Sequence, residues 1–197
     1  MNEATLIRSA QNGDLNAFNR LVLVYQDPLF NQAYRMMGDP HAAADAVQEA
    51  FISAFRNLRS YRGGSFRAWL ARIVTNACYD ELRRRKRRPS TSLEPLGDSG
   101  EEIESPHWMA DSSQSPEEIM ERAELARAIQ RCLLELPEEF RTVVVMIDIQ
   151  GFDYSEAAQA IGTPLGTVKS RLARARLRLR DCLRGFGELL PLLFRQG

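Results

Sequence analysis

The segment spanning residues 154–180 constrains the fold of this chain most, because its pattern predicts two short helices joined by a tight turn. Gly162 can end the first helix in a left-handed conformation, and Pro164 discourages that helix from continuing. In the second helix, the residues that recur at helical spacing and should form a buried apolar stripe are Val168, Leu172, Ala175 and Leu179. The segment therefore predicts a helix-turn-helix unit.

The outward faces of the second helix are also ordered. Cations lie on both sides of the buried stripe, and two short residues, Ser170 and Ala173, lie between them. A helix that enters the major groove of DNA needs short residues towards the base edges and cations towards the two phosphate walls. We therefore predict that the DNA-binding residues are Thr167, Lys169, Ser170, Arg171, Arg174 and Arg176. The alternative is a solvated cationic helix without a ligand.

The charges of the chain are separated into blocks, although 26 Lys and Arg residues balance 26 Asp and Glu residues. Residues 83–88 form an unbroken basic tract, and seven further cations occur between residues 169 and 184. Residues 89–121 contain nine acidic residues and neither Lys nor Arg. Because separated blocks favour separate partners, we predict that DNA phosphates are contacted by Arg83, Arg84, Arg85, Lys86, Arg87 and Arg88.

Composition and single residues argue against several classes of protein. Hydrophobic residues make up 44% of the chain, and no run approaches the roughly 18 apolar residues of a membrane span. The N-terminus lacks the apolar core of a signal peptide, so we expect a cytoplasmic protein without membrane insertion. Cys78, Cys132 and Cys182 lack paired metal-ligand spacing, so we expect reduced thiols and no metal or other cofactor. The two histidines, His41 and His107, belong to no evident catalytic constellation, and we expect no enzyme.

Every segment with sustained periodicity indicates a helix, and no segment alternates with a period of two. A β-branched run at residues 143–145 could form a strand, but we favour a helix because no partner strand is visible nearby. We expect an all-α fold of two small helical domains joined by a flexible acidic linker. The predicted boundaries are residues 1–88 for the N-terminal domain, 89–115 for the linker, 116–184 for the C-terminal domain and 185–197 for an apolar tail.

Capping and breaking residues predict where the helices begin and end. Asp14 is a predicted N-cap, and the Gly-Asp-Pro sequence at residues 38–40 should end one helix and start the next. Ser115 and Asp153 each begin a predicted capping box. Pro28 could either kink the second helix or restart it.

Several motifs resemble one family. Three segments of the C-terminal half are similar to region 4 of bacterial RNA polymerase sigma factors of the extracytoplasmic-function (ECF) group, in the sigma-70 family: residues 136–141, 151–158 and 166–176. Four segments of the N-terminal half resemble region 2 of the same family: residues 13–25, 45–51, 61–70 and 73–76. The resemblance covers both predicted domains in order and leaves out only the linker and the tail.

This resemblance implies roles that spacing alone does not assign. In the family, region 4 binds the upstream promoter element, while region 2 opens the downstream element and holds an unstacked base of the non-template strand. The positions that match this promoter-melting pocket are Asn57, Tyr61 and Asn76, with Arg62 nearby. The positions that match the face gripping core RNA polymerase, opposite the apolar side with Phe51 and Phe55, are Asp45, Gln48, Glu49 and Arg56. The resemblance also implies an inhibitory anti-sigma factor as a partner.

Each of these residues also has a simpler interpretation. Tyr61 and Trp69 are more often core aromatics than surfaces for base stacking, and we expect Trp69 in the core. Asp45 and Glu49 alone would form an ordinary solvated face, and Asn76 could be a buried hydrogen-bonding residue. The leading prediction is an ECF sigma factor that binds core polymerase and melts promoter DNA. The alternative is a helix-turn-helix regulator that binds duplex DNA independently of polymerase.

Overall fold

The computed structural model describes residues 2–87 and 115–189, and every regular element within these two ranges is helical. The N-terminal unit consists of α1 (Glu3–Gln11), α2 (Leu15–Met37), α3 (Pro40–Asn57) and α4 (Phe66–Arg87). The C-terminal unit consists of α5 (Pro116–Glu135), α6 (Glu138–Val144), α7 (Tyr154–Ile161) and α8 (Leu165–Arg184). The predicted all-α fold is thus confirmed for these ranges. Arg88, nearly all of the predicted linker and residues 190–197 of the predicted tail lie outside the described residues.

The predicted helix caps are confirmed. Asp14 Oδ1 accepts a hydrogen bond from the Ala17 N–H at 3.1 Å at the start of α2. The capping boxes at Ser115 and Asp153 are both complete. At Asp153, the carboxylate accepts from the Glu156 N–H at 2.7 Å, and Glu156 accepts in return from the Asp153 N–H at 3.3 Å. Because a helix leaves its first N–H groups unpaired, these caps fix where α2, α5 and α7 begin.

Pro28 lies inside α2, which continues through it, so the predicted alternative of a restarted helix is wrong. Proline lacks an N–H and its ring crowds the carbonyl four residues earlier, which costs about 3 kcal/mol in a helix interior. Packing offsets this cost, because α2 buries side chains on both sides of the proline, including Leu21, Leu29 and Ala33. These residues belong to the core that α2 shares with α3 and α4.

The β-branched run at residues 143–145 is helical, as predicted. It lies at the end of α6 and the start of a π-helical turn, Val145–Ile149, in which the Gln150 N–H donates to the Val145 carbonyl at 2.9 Å. Val143, Val144 and Val145 are at most 2% exposed. Burial in the core of the C-terminal unit therefore provides the packing that β-branched side chains favour, without a sheet.

The two units pack against each other, and Arg141 joins them. Helix α4 packs on α7, α2 packs on α5, and the buried side chains form one apolar cluster. Arg141 is 8% exposed and donates hydrogen bonds to the carbonyls of Leu133, Leu134 and Leu136 at 2.8–3.0 Å. It also donates to the carbonyl of Met36. Because unpaired carbonyls at helix C-termini carry partial negative charge, the ends of α5 and α2 compensate this buried cation.

Two further contacts connect α2 with α5. The Gln130 amide donates to the Tyr34 carbonyl at 3.2 Å and accepts from Arg35 at 3.0 Å. Gly38 ends α2 with a φ of 75°, and a Cβ atom there would lie 2.5 Å from Leu134 Cδ1. The left-handed backbone conformation therefore favours glycine at this position, and a larger residue would also displace the Leu134 side chain.

A disulfide between Cys132 and Cys182 corrects the expectation of three reduced thiols. The Sγ–Sγ distance is 2.08 Å and the Cα–Cα distance is 5.8 Å. Fifty positions separate the two residues in sequence, but α5 and α8 pack together and bring their C-terminal turns into contact. Cys78 is a free thiol, and burial raises its pKa to about 12.

Neither a candidate membrane span nor a candidate metal site occurs among residues 2–87 and 115–189. No helix there is both long and apolar enough to cross a membrane. In these ranges, three or more His, Cys, Asp or Glu side chains never converge in a way that could hold a metal ion.

Candidate nucleic-acid interface

Helix α8 presents the surface that the sequence predicts to bind DNA. The preceding turn begins at Gly162, which has a φ of 67° and ends α7. The predicted inner stripe packs inward: Val168, Leu172 and Ala175 are at most 2% exposed, and Leu179 is half-buried. Ser170 and Ala173 are exposed on the outer face, as predicted, and Thr167 is half-exposed at the start of the helix. The short residues therefore lie where a base edge could approach α8.

The cations of α8 differ in their neighbours. Arg174 is exposed and forms no ion pair with any residue of the described ranges. Lys169 Nζ lies 5.9 Å from the centre of the Tyr154 ring. Arg171 is half-buried and lies near Tyr79, whose pKa is raised by burial while the charge of Arg171 opposes that rise. None of these three cations forms an ion pair with a carboxylate within residues 2–87 and 115–189.

Arg176, in contrast, has an acidic partner. Its Nε donates to Asp148 Oδ2 at 3.0 Å, and its Nη2 donates to Asp148 Oδ1 at 2.6 Å. The hydrogen bonds that Arg176 donates to Asp148 raise the pKa of Arg176. Asp148 lies in the π-helical turn after α6, 28 positions earlier in sequence, so helical spacing within α8 did not indicate this pair.

An aromatic cluster occupies the turn between α3 and α4. The centre of the Tyr61 ring lies 5.2 Å from that of Phe66 and 5.5 Å from that of Trp69. The Tyr61 hydroxyl donates a hydrogen bond to the Gly64 carbonyl at 2.7 Å. The backbone carbonyl of Tyr61 accepts a hydrogen bond from the Gln11 side-chain amide at 3.0 Å. The turn is thus held at several points, and the Tyr61 ring remains partly exposed.

The polar residues predicted for the melting pocket lie on α3, in the turn and on α4. Asn57 ends α3 and donates to the backbone of that helix at 2.9 Å, and Arg62 is exposed beside Tyr61. Asn76 lies on α4, seven residues after Trp69, and so about 10 Å further along the same face. Asn76 is exposed, which excludes the alternative of a buried hydrogen-bonding residue. The turn therefore brings Asn57, Tyr61 and Arg62 together, whereas Asn76 lies further along α4.

The basic tract at the end of α4 is largely ion-paired. Its ion pairs are Arg83–Asp80 at 3.6 Å, Arg84–Glu81 at 2.6 Å, Arg85–Glu81 at 2.9 Å, Arg85–Asp39 at 2.8 Å and Lys86–Glu138 at 2.6 Å. Although burial acts in the opposite direction, hydrogen bonds from Arg85 hold the pKa of Asp39 and of Glu81 below their ordinary values. Arg87 donates to the Arg83 carbonyl at 3.4 Å. The tract is therefore less positive at its surface than its sequence indicates.

An apolar groove lies between α2 and α3. The large apolar side chains that line it and are 40–56% exposed are Leu15, Ile52 and Phe55. Of the positions expected to grip polymerase, Gln48 and Arg56 also line the groove, and Asp45 and Glu49 are exposed on α3. These four residues are thus collected along one helix beside an open apolar surface.

Phe55, which the sequence places on the apolar side of α3, is 40% exposed. Its ring centre lies 4.9 Å from that of Phe18 on α2, and the two rings form part of the groove lining. Phe51, expected on the same side, is half-buried. The spacing of these residues predicts a common face correctly, but it does not indicate that α2 leaves part of this face uncovered.

Helix α4 also contacts the C-terminal unit. The Tyr79 hydroxyl and Thr142 Oγ1 lie 2.7 Å apart. The Arg67 guanidinium lies 4.3 Å from the centre of the Phe152 ring and donates to the Gln150 carbonyl. The sequence analysis missed Arg67 and Arg141 as joining residues, because their partners in the other unit lie 83 and 105 positions away.

Comparison with known proteins agrees with this arrangement. The family model of Sigma-70 region 2 matches residues 21–88, and that of Sigma-70, region 4 matches residues 126–179. The chain is 37% identical to the ECF RNA polymerase sigma factor SigW of Bacillus subtilis over 179 residues, which cover 90% of this chain and 95% of that protein. It is 38% identical to the ECF RNA polymerase sigma factor SigE of Mycolicibacterium smegmatis over 167 residues, 85% of this chain, and spans 62% of that protein's length.

A solved structure shows a similar fold. It is that of the sigma factor RpoE in complex with the anti-sigma factor NepR from Bartonella quintana, with a TM-score of 0.66 and 25% identity over 86% of this chain and 98% of that one. The family matches cover both helical units in the order that the sequence predicts. The chain therefore belongs to the ECF group of RNA polymerase sigma factors in the sigma-70 family.

Proposed function

We propose that this sigma factor acts as the dissociable promoter-specificity subunit of RNA polymerase. It binds core polymerase, recognises two promoter elements and uses binding energy to trap melted DNA, without covalent chemistry of its own. The observation that carries the proposal is the surface of α8. There the exposed Ser170 and Ala173 lie between cationic flanks while the opposite side of the helix is buried.

The first two turns of α8 read the upstream promoter element. Thr167 and Ser170 face the base edges, while Lys169, Arg171 and Arg174 contact guanines or phosphates. A bidentate pair between arginine and guanine contributes about 1–3 kcal/mol of discrimination. Arg174 is best suited to this contact, because it is exposed and has no ion-pair partner within the described part of the chain.

The turn between α3 and α4 captures an unstacked base of the melted non-template strand. Tyr61 offers its ring for stacking, Asn57 and Asn76 offer amide groups to a base edge, and Arg62 supplies a cation. Flipping a base costs a few kcal/mol, and stacking on an aromatic ring returns about 1–3 kcal/mol. The hydrogen bonds of the Tyr61 hydroxyl and carbonyl support this role, because they hold the ring before DNA arrives.

The groove between α2 and α3 binds core RNA polymerase. Its exposed apolar lining fits the apolar side of a helix on the partner. Asp45, Gln48, Glu49 and Arg56 form a polar rim that fixes the orientation of that helix.

The basic tract contacts DNA phosphates once its carboxylate partners have been released. Lys86 pairs with Glu138 of the other unit, so separation of the two units frees this cation. Arg83, Arg84 and Arg85 keep partners within the N-terminal unit. Since such exposed pairs contribute only about 0–1 kcal/mol each, phosphates can displace them.

An anti-sigma factor completes the proposed set of partners. The solved relative is bound to such an inhibitor, and the open apolar groove of this chain supplies a surface that an inhibitor can cover.

The protein acts in the cytoplasm. Region 2 comprises residues 1–88, a linker comprises residues 89–115, and region 4 comprises residues 116–184.

Transcription with purified core RNA polymerase tests the proposed function. The chain is added to core polymerase and a library of promoter fragments, and transcript start sites are mapped. We expect specific initiation that depends on the chain. The comparison variant is Phe55→Glu, which places a charge in the groove and should abolish initiation, while circular dichroism verifies that the variant remains folded. A chain that binds duplex DNA but leaves core polymerase silent on every fragment is a regulator, and the proposal is then wrong.

A further inference from the structure

Asp148 holds Arg176 by two hydrogen bonds between different elements of the C-terminal unit. Oδ2 accepts from Nε at 3.0 Å, and Oδ1 accepts from Nη2 at 2.6 Å. Two parallel hydrogen bonds between planar groups orient the guanidinium as well as neutralising it. The Arg176 and Asp148 side chains are 53% and 31% exposed, so the pair lies at the surface of α8 rather than in the core.

The pair makes the two flanks of α8 unequal. Arg176 lies on the same flank as Lys169, seven residues earlier. On the other flank, Arg174 has no carboxylate partner among the residues with described positions. One flank therefore offers an open guanidinium to DNA, whereas the other holds its guanidinium on a carboxylate.

This difference between the flanks changes the affinity of α8 for DNA phosphates, whatever the DNA sequence. Each phosphate that a cation neutralises contributes about 0.9 to the slope of log affinity against log salt concentration. A guanidinium held by a carboxylate makes no such contribution until the pair opens. Because the phosphate contribution is independent of sequence, pairing weakens binding to random DNA and leaves the contacts with base edges in place.

We propose that Asp148 is a specificity-determining residue of α8, which competes with DNA phosphates for Arg176 and so lowers the sequence-independent affinity of the helix. The inference rests on the proposed function only in that α8 binds duplex DNA. Asp148 acts through Arg176, and Arg176 contacts DNA only when a phosphate displaces the carboxylate. Base reading stays with the first two turns of α8, including Ser170 and Arg174.

A salt titration of DNA binding tests this inference. The full chain is titrated against a fluorescently labelled random-sequence duplex at about 0.05–0.3 M salt. Asp148→Asn keeps the shape of the side chain but removes its charge, and should tighten binding about eightfold at about 0.1 M salt and steepen the slope by about 0.9. Arg176→Gln as a single substitution should change the affinity by about twofold or less, because Asp148 already pairs with the Arg176 charge in the wild type.

Two further variants separate the pair from a general effect of charge. The double variant Asp148→Asn with Arg176→Gln should lose the gain, because the released guanidinium is missing. Glu139→Gln removes the same charge from an exposed residue of the C-terminal unit that forms no ion pair within the described ranges, so it frees no cation and should leave the slope unchanged. Thermal melting verifies that all variants fold. Unchanged or weaker binding by Asp148→Asn would overturn the proposal, and so would a gain that persists in the double variant.

The results also separate this inference from the proposed function. Duplex binding without initiation by core polymerase contradicts the proposed function alone. Specific initiation combined with an unchanged salt slope for Asp148→Asn contradicts the inference alone. A wild-type chain that binds no duplex at any salt concentration contradicts the inference, and the transcription assay then decides the proposed function separately.

Discussion

The basic tract at the end of α4 and the basic face of α8 look alike in sequence but differ in structure. In the tract, the residues that pair with carboxylates are Arg83, Arg84, Arg85 and Lys86. On α8, Arg174 is exposed and has no ion pair with a residue in the described ranges. Whether an arginine is free to bind DNA therefore depends on which carboxylates lie within ion-pairing distance of it, and not on the number of arginines in a run.

Arg141 shows a third way of holding a cation. It is buried, and its hydrogen-bond acceptors are backbone carbonyls at the ends of two helices. Exposed pairs, an exposed unpaired cation and a buried cation should respond differently to mutation.

Arg141→Met should lower the free energy of unfolding by about 3–5 kcal/mol, because it leaves several carbonyls in the core without a donor. Denaturant unfolding followed by circular dichroism measures this loss. The matched control is Arg131→Met, on the same unit, whose side chain is 73% exposed and which should change the stability by about 0.5 kcal/mol or less. Equal losses in the two variants would contradict the assigned role of Arg141.

Reduction of the Cys132–Cys182 disulfide should lower the stability of the C-terminal unit by about 2–4 kcal/mol, because the bond closes a long loop in the unfolded chain. The disulfide joins the end of α8 to α5 covalently, whereas the cations at the end of α4 form ion pairs. Thermal melting with and without reductant measures the effect. The variant Cys132→Ser with Cys182→Ser should melt at one temperature in both conditions. The prediction would be contradicted if the melting temperature of the wild-type chain were the same with and without reductant.

Arg174→Ala should weaken binding to the upstream promoter duplex by about 1–3 kcal/mol, because the side chain is free to contact a guanine. Arg84→Ala, in the paired tract, is the comparison and should weaken it by about 1 kcal/mol or less. Fluorescence anisotropy with the promoter fragment found by transcription measures both. If Arg174→Ala and Arg84→Ala lost the same binding free energy, ion pairing would not account for a difference between the two basic surfaces.

Acid should remove the contribution of the paired carboxylates at the end of α4. The folded-state pKa values of Asp39 and Glu81 are lowered, so their stabilisation is present above their ordinary pKa and is lost as the pH falls through the lowered values. Melting temperatures between about pH 7 and pH 3 should therefore fall more for the wild type than for Glu81→Gln. This is the smallest of the four expected effects, and parallel curves for the two proteins would contradict it.

Local signals predicted much of the fold. Asp14, Ser115 and Asp153 cap helices where their sequences indicate, because capping depends on residues only three positions apart. The buried stripe of α8 and the exposed Ser170 and Ala173 follow from helical periodicity alone. The residues of the candidate melting pocket were identified by resemblance to a family, and their exposure and contacts became visible only in the folded chain.

Long-range contacts could not be predicted in the same way. The disulfide, the Asp148–Arg176 pair and the partners of Arg141 join residues from distant parts of the chain, and no local spacing encodes them. The continuity of α2 through Pro28 likewise depends on core packing that outweighs an intrinsic preference. The open side of the groove at Phe55 depends on where α2 lies.

In the proposed function, two surfaces of one chain do separate work: α8 binds duplex DNA, and the turn before α4 holds the opened strand. The most direct test measures upstream duplex binding and strand opening for the same polymerase complexes. Arg174→Ala should weaken duplex binding, whereas Asn76→Ala should leave duplex binding unchanged and impair strand opening, detected by permanganate reactivity of unpaired thymines. Loss of both activities to the same extent in both variants would contradict the division of work between the two surfaces.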